Sequence, residues 1–216
     1  MVRNALRYLP VVVVLLASFA QADVMFSLGS HSGSNQEAIN MSAGQTGNTI
    51  HGVTSNSFIG AVLSSSDDPL KVYSHGSSFG LQTAHDSDNP DTSVNDVTIS
   101  LVTGTFQDLV GSIYGVFAQH PTVTFTVWTT DSSTPWTWSF TGNRDNDGNE
   151  DNFFTIKAAN GGRITKILIE GKFYELRDLD LSGVAQPVAP VLAPESTSVT
   201  LLAAGLLGLL GRKRLH

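Results

Sequence analysis

The sequence contains no cysteine in its 216 residues. A chain without cysteine has no disulfide framework, no lipoprotein attachment site and no thiol chemistry, so its core alone must hold the fold. Basic residues are also scarce. Between Asp23 and Gln186 the chain has seven lysines and arginines against eighteen aspartates and glutamates, which gives a net charge of −11. Nucleic acid and anionic membranes are therefore disfavoured as partners, because an acidic surface repels both.

Sustained helical periodicity is missing, and no repeat of about 20–50 residues recurs, which disfavours a stacked solenoid. The chain instead shows short β-rich runs separated by clusters of Gly, Ser, Asn, Asp and Pro, which is typical of an all-β protein. Strands are predicted over Val24–Leu28, Thr49–Val53, Phe58–Leu63, Leu70–Tyr73, Val97–Val102, Ser112–Phe117, Val123–Thr129, Trp136–Phe140, Phe153–Ala158, Ile164–Glu170 and Phe173–Leu181.

Alternation is clearest in Val123–Thr129, where Val123, Phe125 and Val127 share one face of the predicted strand and threonines occupy the other. Two packed antiparallel sheets would bury such faces against each other. We therefore expect an all-β domain over residues 23–186, built as a single antiparallel, jelly-roll-like β-sandwich.

The first 22 residues have the three parts of a secretory signal peptide. Arg3 and Arg7 supply the positive region, Leu9–Ala17 is almost wholly apolar, and Ala20-Gln21-Ala22 forms a cleavage site of small residues. Cleavage after Ala22 is predicted. An uncleaved membrane anchor is the alternative, but the apolar run is short for one.

The C-terminus also contains an ordered series of segments. Residues 187–198 form a Pro-rich linker, and residues 199–216 combine an apolar stretch, Val199–Leu210, with the basic cluster Arg212-Lys213-Arg214. The apolar stretch is shorter than the roughly 20 residues of a stable spanning helix, and the basic cluster would stay on the cytoplasmic side. This order is typical of a processing signal, with a plain membrane anchor as the alternative.

The tail resembles the PEP-CTERM sorting signal over about 25 residues: Pro194, Glu195 and Ser196, then the apolar stretch, then Arg212, Lys213 and Arg214. The family usually has Pro-Glu-Pro where this chain has Pro-Glu-Ser. The resemblance implies a partner, an exosortase-type membrane peptidase, that removes the tail from a transiently membrane-anchored precursor. It further implies a location on the outer surface or in the extracellular matrix of a Gram-negative, often biofilm-forming, bacterium.

An acidic loop suggests a calcium site. Asn143, Asp145, Asp147 and Asp151 occupy the first, third, fifth and ninth positions of an EF-hand template, with Gly at the sixth. Phe154 stands where the bidentate Glu belongs. Such Asx-Gly clusters also form ordinary hairpin connections, so a solvated turn is the alternative.

Aromatic residues concentrate in one predicted strand. Trp136, Trp138 and Phe140 share a face at a period of two, which is typical of a core-facing strand. If Trp136 and Trp138 were exposed, they could instead stack on sugar rings, and extracellular polysaccharide would then be a partner.

Residues Gly76–Gly80 match the G-x-S-x-G pattern of serine hydrolases. A nucleophile elbow needs a strand followed by a helix, whereas β character continues after this match from Leu81 to Thr83, so we predict no catalytic site there. Three functions stay open, ranked in this order: a structural or adhesive surface protein, a carbohydrate- or calcium-binding module, and a secreted hydrolase.

Overall fold

A computed structural model describes residues 24–29, 35–84, 93–117, 119–142 and 151–186. Thirteen strands occur in these ranges. They are β1 (Val24–Leu28), β2 (Gln36–Met41), β3 (Thr46–Gly47), β4 (Thr49–Thr54), β5 (Gly60–Ser64), β6 (Leu70–His75), β7 (Ser78–Thr83), β8 (Val94–Leu101), β9 (Asp108–Val116), β10 (Thr122–Thr129), β11 (Trp136–Thr141), β12 (Asp151–Ala158) and β13 (Ile164–Ser182). Within the same ranges no helix is long and apolar enough to cross a membrane.

The predicted class is confirmed, because the described fold is all-β and every ladder is antiparallel. All thirteen strands belong to one hydrogen-bonded sheet. Strands β13, β2, β4, β5 and β8 pair in succession, and β8 pairs again with β13, so this part of the sheet closes on itself. The closed path contains five of the thirteen strands, and the described ladders do not distinguish the two separate sheets expected for a jelly-roll-like sandwich.

The closure depends on β13, which is 19 residues long. Its first half pairs with β8 and β10, and its second half pairs with β9, β7 and β2. Its register against β8 shifts between Glu170 and Phe173, around Gly171. The sequence predicted two strands here because Gly usually weakens a strand, but this Gly lies where the long strand passes from one set of neighbours to the other.

The core is a single apolar cluster in which aromatic rings gather around Phe125. Val123, Phe125 and Val127 are fully buried, so the predicted alternation is confirmed. The Phe125 ring centroid lies 4.8 Å from that of Phe154 and 6.1 Å from that of Phe140. These contacts join β10, β11 and β12 across the interior.

Three strands were not predicted, and several predicted boundaries differ from the structure, among them the start of β5. Strands β2, β3 and β7 are absent from the expected set. Phe58, expected to begin a strand, lies in a turn with φ of 54° and is 78% exposed, and β5 begins at Gly60. The turn is held by the Glu37 carboxylate, which accepts hydrogen bonds from the Ser57 amide and hydroxyl. A contact between residues twenty apart leaves no local signal in the sequence.

Candidate functional site

The G-x-S-x-G segment forms a β-hairpin. Strands β6 and β7 pair up to His75 and Ser78, with Gly76 and Ser77 between them. Gly76 has φ of 58°, a conformation that favours glycine at the first position of a two-residue hairpin turn. Strand β7 begins at Ser78, so Ser78 does not lie on a strand-to-helix elbow. The predicted β character of Leu81 to Thr83 is confirmed, although no separate strand was predicted here.

The hairpin brings Ser78 beside the second half of β13. Strand β7 pairs with β13 through Glu175, Leu176 and Arg177, and the register of β13 against β9 then shifts before Asp180. At this irregularity Asp178 has φ of 53°, which is rare for a residue other than glycine. The Ser78 hydroxyl donates a hydrogen bond to the Asp178 carboxylate, although the two residues are a hundred positions apart.

A histidine completes this group, but its arrangement differs from a catalytic triad. The His75 Nδ1 atom lies 3.7 Å from the same Asp178 oxygen that accepts the Ser78 hydroxyl. The Ser78 hydroxyl also lies 3.0 Å from the backbone carbonyl oxygen of His75, a second acceptor. In a triad the imidazole lies between serine and carboxylate and takes the serine proton. Here the carboxylate lies between serine and imidazole, so this geometry provides no imidazole base for Ser78.

Next to this group, a cavity of about 350 Å³ opens between β2, β7 and β13. Its polar lining includes Asn40, Ser78, Asp178 and Asp180, and its apolar lining includes Phe79. We call this cavity the β2/β7/β13 cleft. It combines an aromatic wall with hydrogen-bonding groups, a composition typical of small-molecule sites.

Asp180 is the least compensated charge in the cleft. Its pKa is raised, first by burial and then by the negative charge of Asp178. Within the described ranges no hydrogen bond to its carboxylate offsets this cost, whereas Asp178 is held by Ser78. The two carboxylates therefore differ in their environments.

The raised pKa of Asp180 predicts a pH dependence of stability. Between the ordinary Asp pKa of about 3.9 and the higher pKa of Asp180 in the folded protein, the folded protein binds more protons than the unfolded one. Ionisation of Asp180 therefore lowers the free energy of unfolding as pH rises through this range. We expect Asp180→Asn to be more stable than the wild type at pH 7 and equal to it at pH 3, by thermal unfolding. Glu170→Gln, an exposed acid on the same strand, is the control. A lower melting temperature for Asp180→Asn at pH 7 would contradict the assignment.

A polar network flanks the cleft on the neighbouring part of the sheet. The Tyr73 hydroxyl donates to Glu175 Oε2 at 2.5 Å, and Arg177 pairs with the same carboxylate. The Arg177 guanidinium carbon also lies 4.0 Å from the centroid of the Tyr114 ring. The pKa of Tyr73 is raised, first by burial and then by Glu175. These groups satisfy one another, so the network stabilises the wall of the cleft and leaves little free hydrogen-bonding capacity.

Gly80 makes this network possible. A Cβ atom at position 80 would lie 2.4 Å from the Tyr73 ring, which is closer than real contacts allow. The last glycine of the G-x-S-x-G match is therefore explained by close packing of Tyr73.

A larger cavity of about 630 Å³ lies near Gly171 of β13, and its lining includes Asp67, His120 and Lys172. It opens broadly to solvent. Asn95, another lining residue, donates to Asp68 at 2.7 Å and so belongs to the neighbouring turn. The narrower β2/β7/β13 cleft is the better candidate because its polar groups converge.

The structure places Trp136 and Trp138 on the core side of β11, where both are half-buried and pack against the core. The Trp138 ring stacks on Phe26 with centroids 5.2 Å apart. Both side chains lie where a core-facing strand would place them. Stacking of sugar rings on Trp136 and Trp138 stays a prediction.

The other predicted site residues fall largely outside the described ranges. Outside these ranges are three residues of the predicted calcium loop, Asn143, Asp145 and Asp147. The whole sorting tail is also outside them, including Pro194, Glu195, Ser196, Arg212, Lys213 and Arg214. Asp151 is the first residue of β12, and its backbone pairs with Tyr114. No group of three or more acidic or histidine side chains suited to a metal occurs in the part of the chain that the structure describes. The calcium site stays a prediction.

Comparison with protein-family models, with curated proteins and with solved structures finds no match to this chain.

Proposed function

We propose that this chain is an exported surface or extracellular-matrix protein with a structural or adhesive role, sorted through its PEP-CTERM-like tail. The order of segments at the C-terminus carries the proposal: Pro194-Glu195-Ser196, the apolar stretch Val199–Leu210, and Arg212-Lys213-Arg214. An exosortase-type membrane peptidase is the partner that this order implies. The tail would hold a precursor in the inner membrane until the peptidase removes it.

The folded body supports this role. All described strands lie between Val24 and Ser182, inside the segment expected after removal of a signal peptide and before the Pro-rich linker. The body has no cysteine to be oxidised, and its strands enclose one contiguous apolar core. Such a domain suits an oxidising extracellular setting because its stability depends on packing.

Deletion of Val199–His216 tests the sorting role. Without the apolar stretch and the basic cluster, nothing would hold the precursor in the inner membrane. We expect the deleted protein to lack the membrane-held precursor and to appear in the periplasm or medium, as measured by immunoblotting of cell fractions. Unchanged membrane association would contradict the proposal.

Two further variants separate sorting from simple anchoring. Glu195→Ala should leave the tail in the membrane but block its removal, so that the precursor accumulates there. Glu170→Ala, an exposed acidic residue on β13, should be processed like the wild type. Normal processing of Glu195→Ala would contradict the role of this motif in cleavage, and if the tail is removed from neither the wild type nor the variants it is a plain membrane anchor.

A carbohydrate- or calcium-binding module remains the second proposal, and a secreted hydrolase the third. The β2/β7/β13 cleft favours the second over the third, because its Ser78 and His75 lack triad order while its polar and aromatic groups converge.

A further inference from the structure

The β2/β7/β13 cleft has the size of a site for one small polar ring. Its volume of about 350 Å³ lies at the lower end of the range of roughly 300–1,000 Å³ typical of ligand pockets. The cleft is bounded by three strands of the same sheet. Its lining side chains therefore stand on a rigid frame, which favours binding without rearrangement.

The two sides of the cleft differ in chemistry. Phe79, which is half-buried and packs against the core, and the buried Leu179 supply the apolar lining. Asn40, Asp178 and Asp180 supply an amide and two carboxylates to the polar side. A ligand that matches both sides needs an apolar face and hydroxyl groups around its edge, and a sugar ring has both.

The polar side chains of the cleft also have hydrogen-bonding capacity that a ligand can use. The Asp178 carboxylate is positioned by the Ser78 hydroxyl. The Asp180 carboxylate is partly removed from water, and within the described ranges no hydrogen-bond donor compensates it. A hydroxyl group of a ligand would compensate the lost hydration of Asp180 by donating a charge-assisted hydrogen bond, which is stronger than a neutral one. The exposed Asn40 amide can both donate to and accept from the same ligand.

The charge of the lining residues narrows the class of ligand further. The described residues that line the cleft include two aspartates and no lysine or arginine, so a phosphate, sulfate or uronic acid would be repelled. We infer that the cleft binds a neutral saccharide unit, with Asp178, Asp180 and Asn40 bonding its hydroxyls and Phe79 contacting its ring face. The inference rests on the second proposal, a carbohydrate-binding module, and names the site and the class of ligand. It places binding in a different part of the sheet from Trp136 and Trp138.

The test uses the full-length chain in a non-ionic detergent that has no sugar headgroup. Glucose, galactose, mannose, N-acetylglucosamine and their short oligomers are the probes, with saturation-transfer NMR to detect binding and calorimetry to measure affinity. We expect at least one of these neutral saccharides to bind. We further expect Asp180→Asn to weaken that binding at least tenfold, because the amide replaces a charged acceptor with a neutral one. Glu170→Gln should change the affinity less than twofold.

Two controls keep the result interpretable. Thermal unfolding checks that Asp180→Asn is folded, and Asn40→Ala, an exposed change on β2, provides an independent variant that should also weaken binding. The inference is overturned if no saccharide binds, if both variants bind as the wild type does, or if the cleft responds only to calcium or an ammonium ion. Each of these results would leave the sorting proposal untouched, since that proposal depends on the tail.

Discussion

Phe125→Ala is expected to lower the free energy of unfolding by about 3–5 kcal/mol, the usual cost of removing a buried phenylalanine ring. The Phe125 ring is fully buried and lies within 6.4 Å of the rings of Phe26, Trp138, Phe140 and Phe154. Its loss would leave a cavity at the point where β1, β10, β11 and β12 meet.

Urea unfolding followed by tryptophan fluorescence measures this effect, since Trp138 packs beside the ring that is removed. Thr126→Ala is the matched control on the same strand, because its side chain points to the opposite face and the change should cost within about 0.5 kcal/mol. A loss below about 1 kcal/mol for Phe125→Ala would mean that these rings do not form the centre of the core.

Arg177→Met is expected to be the second most damaging change, at about 2–3 kcal/mol, because it leaves the Glu175 carboxylate largely buried without its cation. The side chains of Arg177 and Glu175 are only 14% and 18% exposed. Tyr73 would still donate to Glu175, but one hydroxyl cannot replace the charge of a guanidinium. The stacking of Arg177 on Tyr114 would also be lost.

The double variant Glu175→Gln with Arg177→Met should recover part of this loss, since the uncompensated carboxylate is then absent. Lys157→Met is the control for a looser pair: Lys157 is 47% exposed and lies 3.9 Å from Asp108, whose carboxylate is 15% exposed and keeps the hydrogen bond that it accepts from Ser182. Removal of this exposed cation should cost at most about 1 kcal/mol. If Arg177→Met costs no more than Lys157→Met, the network around Tyr73 contributes nothing beyond a loose ion pair.

The strands that were predicted correctly show the period-two signal most clearly. Val123–Thr129 alternates β-branched and aromatic residues with threonine, and the structure buries the apolar set. Strand β2, Gln-Glu-Ala-Ile-Asn-Met, was missed because it has a single β-branched residue and three polar ones. Its position depends on pairing with β13 and β4, which lie far away in the sequence.

The cleft could not be predicted from local patterns for the same reason. Ser78 was noticed as part of a hydrolase motif, while Asp178 and Asp180 resembled ordinary acidic residues within a strand. They meet because β7 pairs with β13 and because β13 is irregular at Asp178. The long-range register of the strands decides which residues form the cleft, and no local pattern in the sequence records it.

The most direct test of the sorting proposal is the intact mass of the protein recovered from the outer surface or medium of the cells that produce it. The proposal predicts a chain that begins at Asp23 and ends near Pro194-Glu195-Ser196, without Val199–His216. A surface-exposed protein that still carries the mass of Arg212-Lys213-Arg214 at its C-terminus would contradict it.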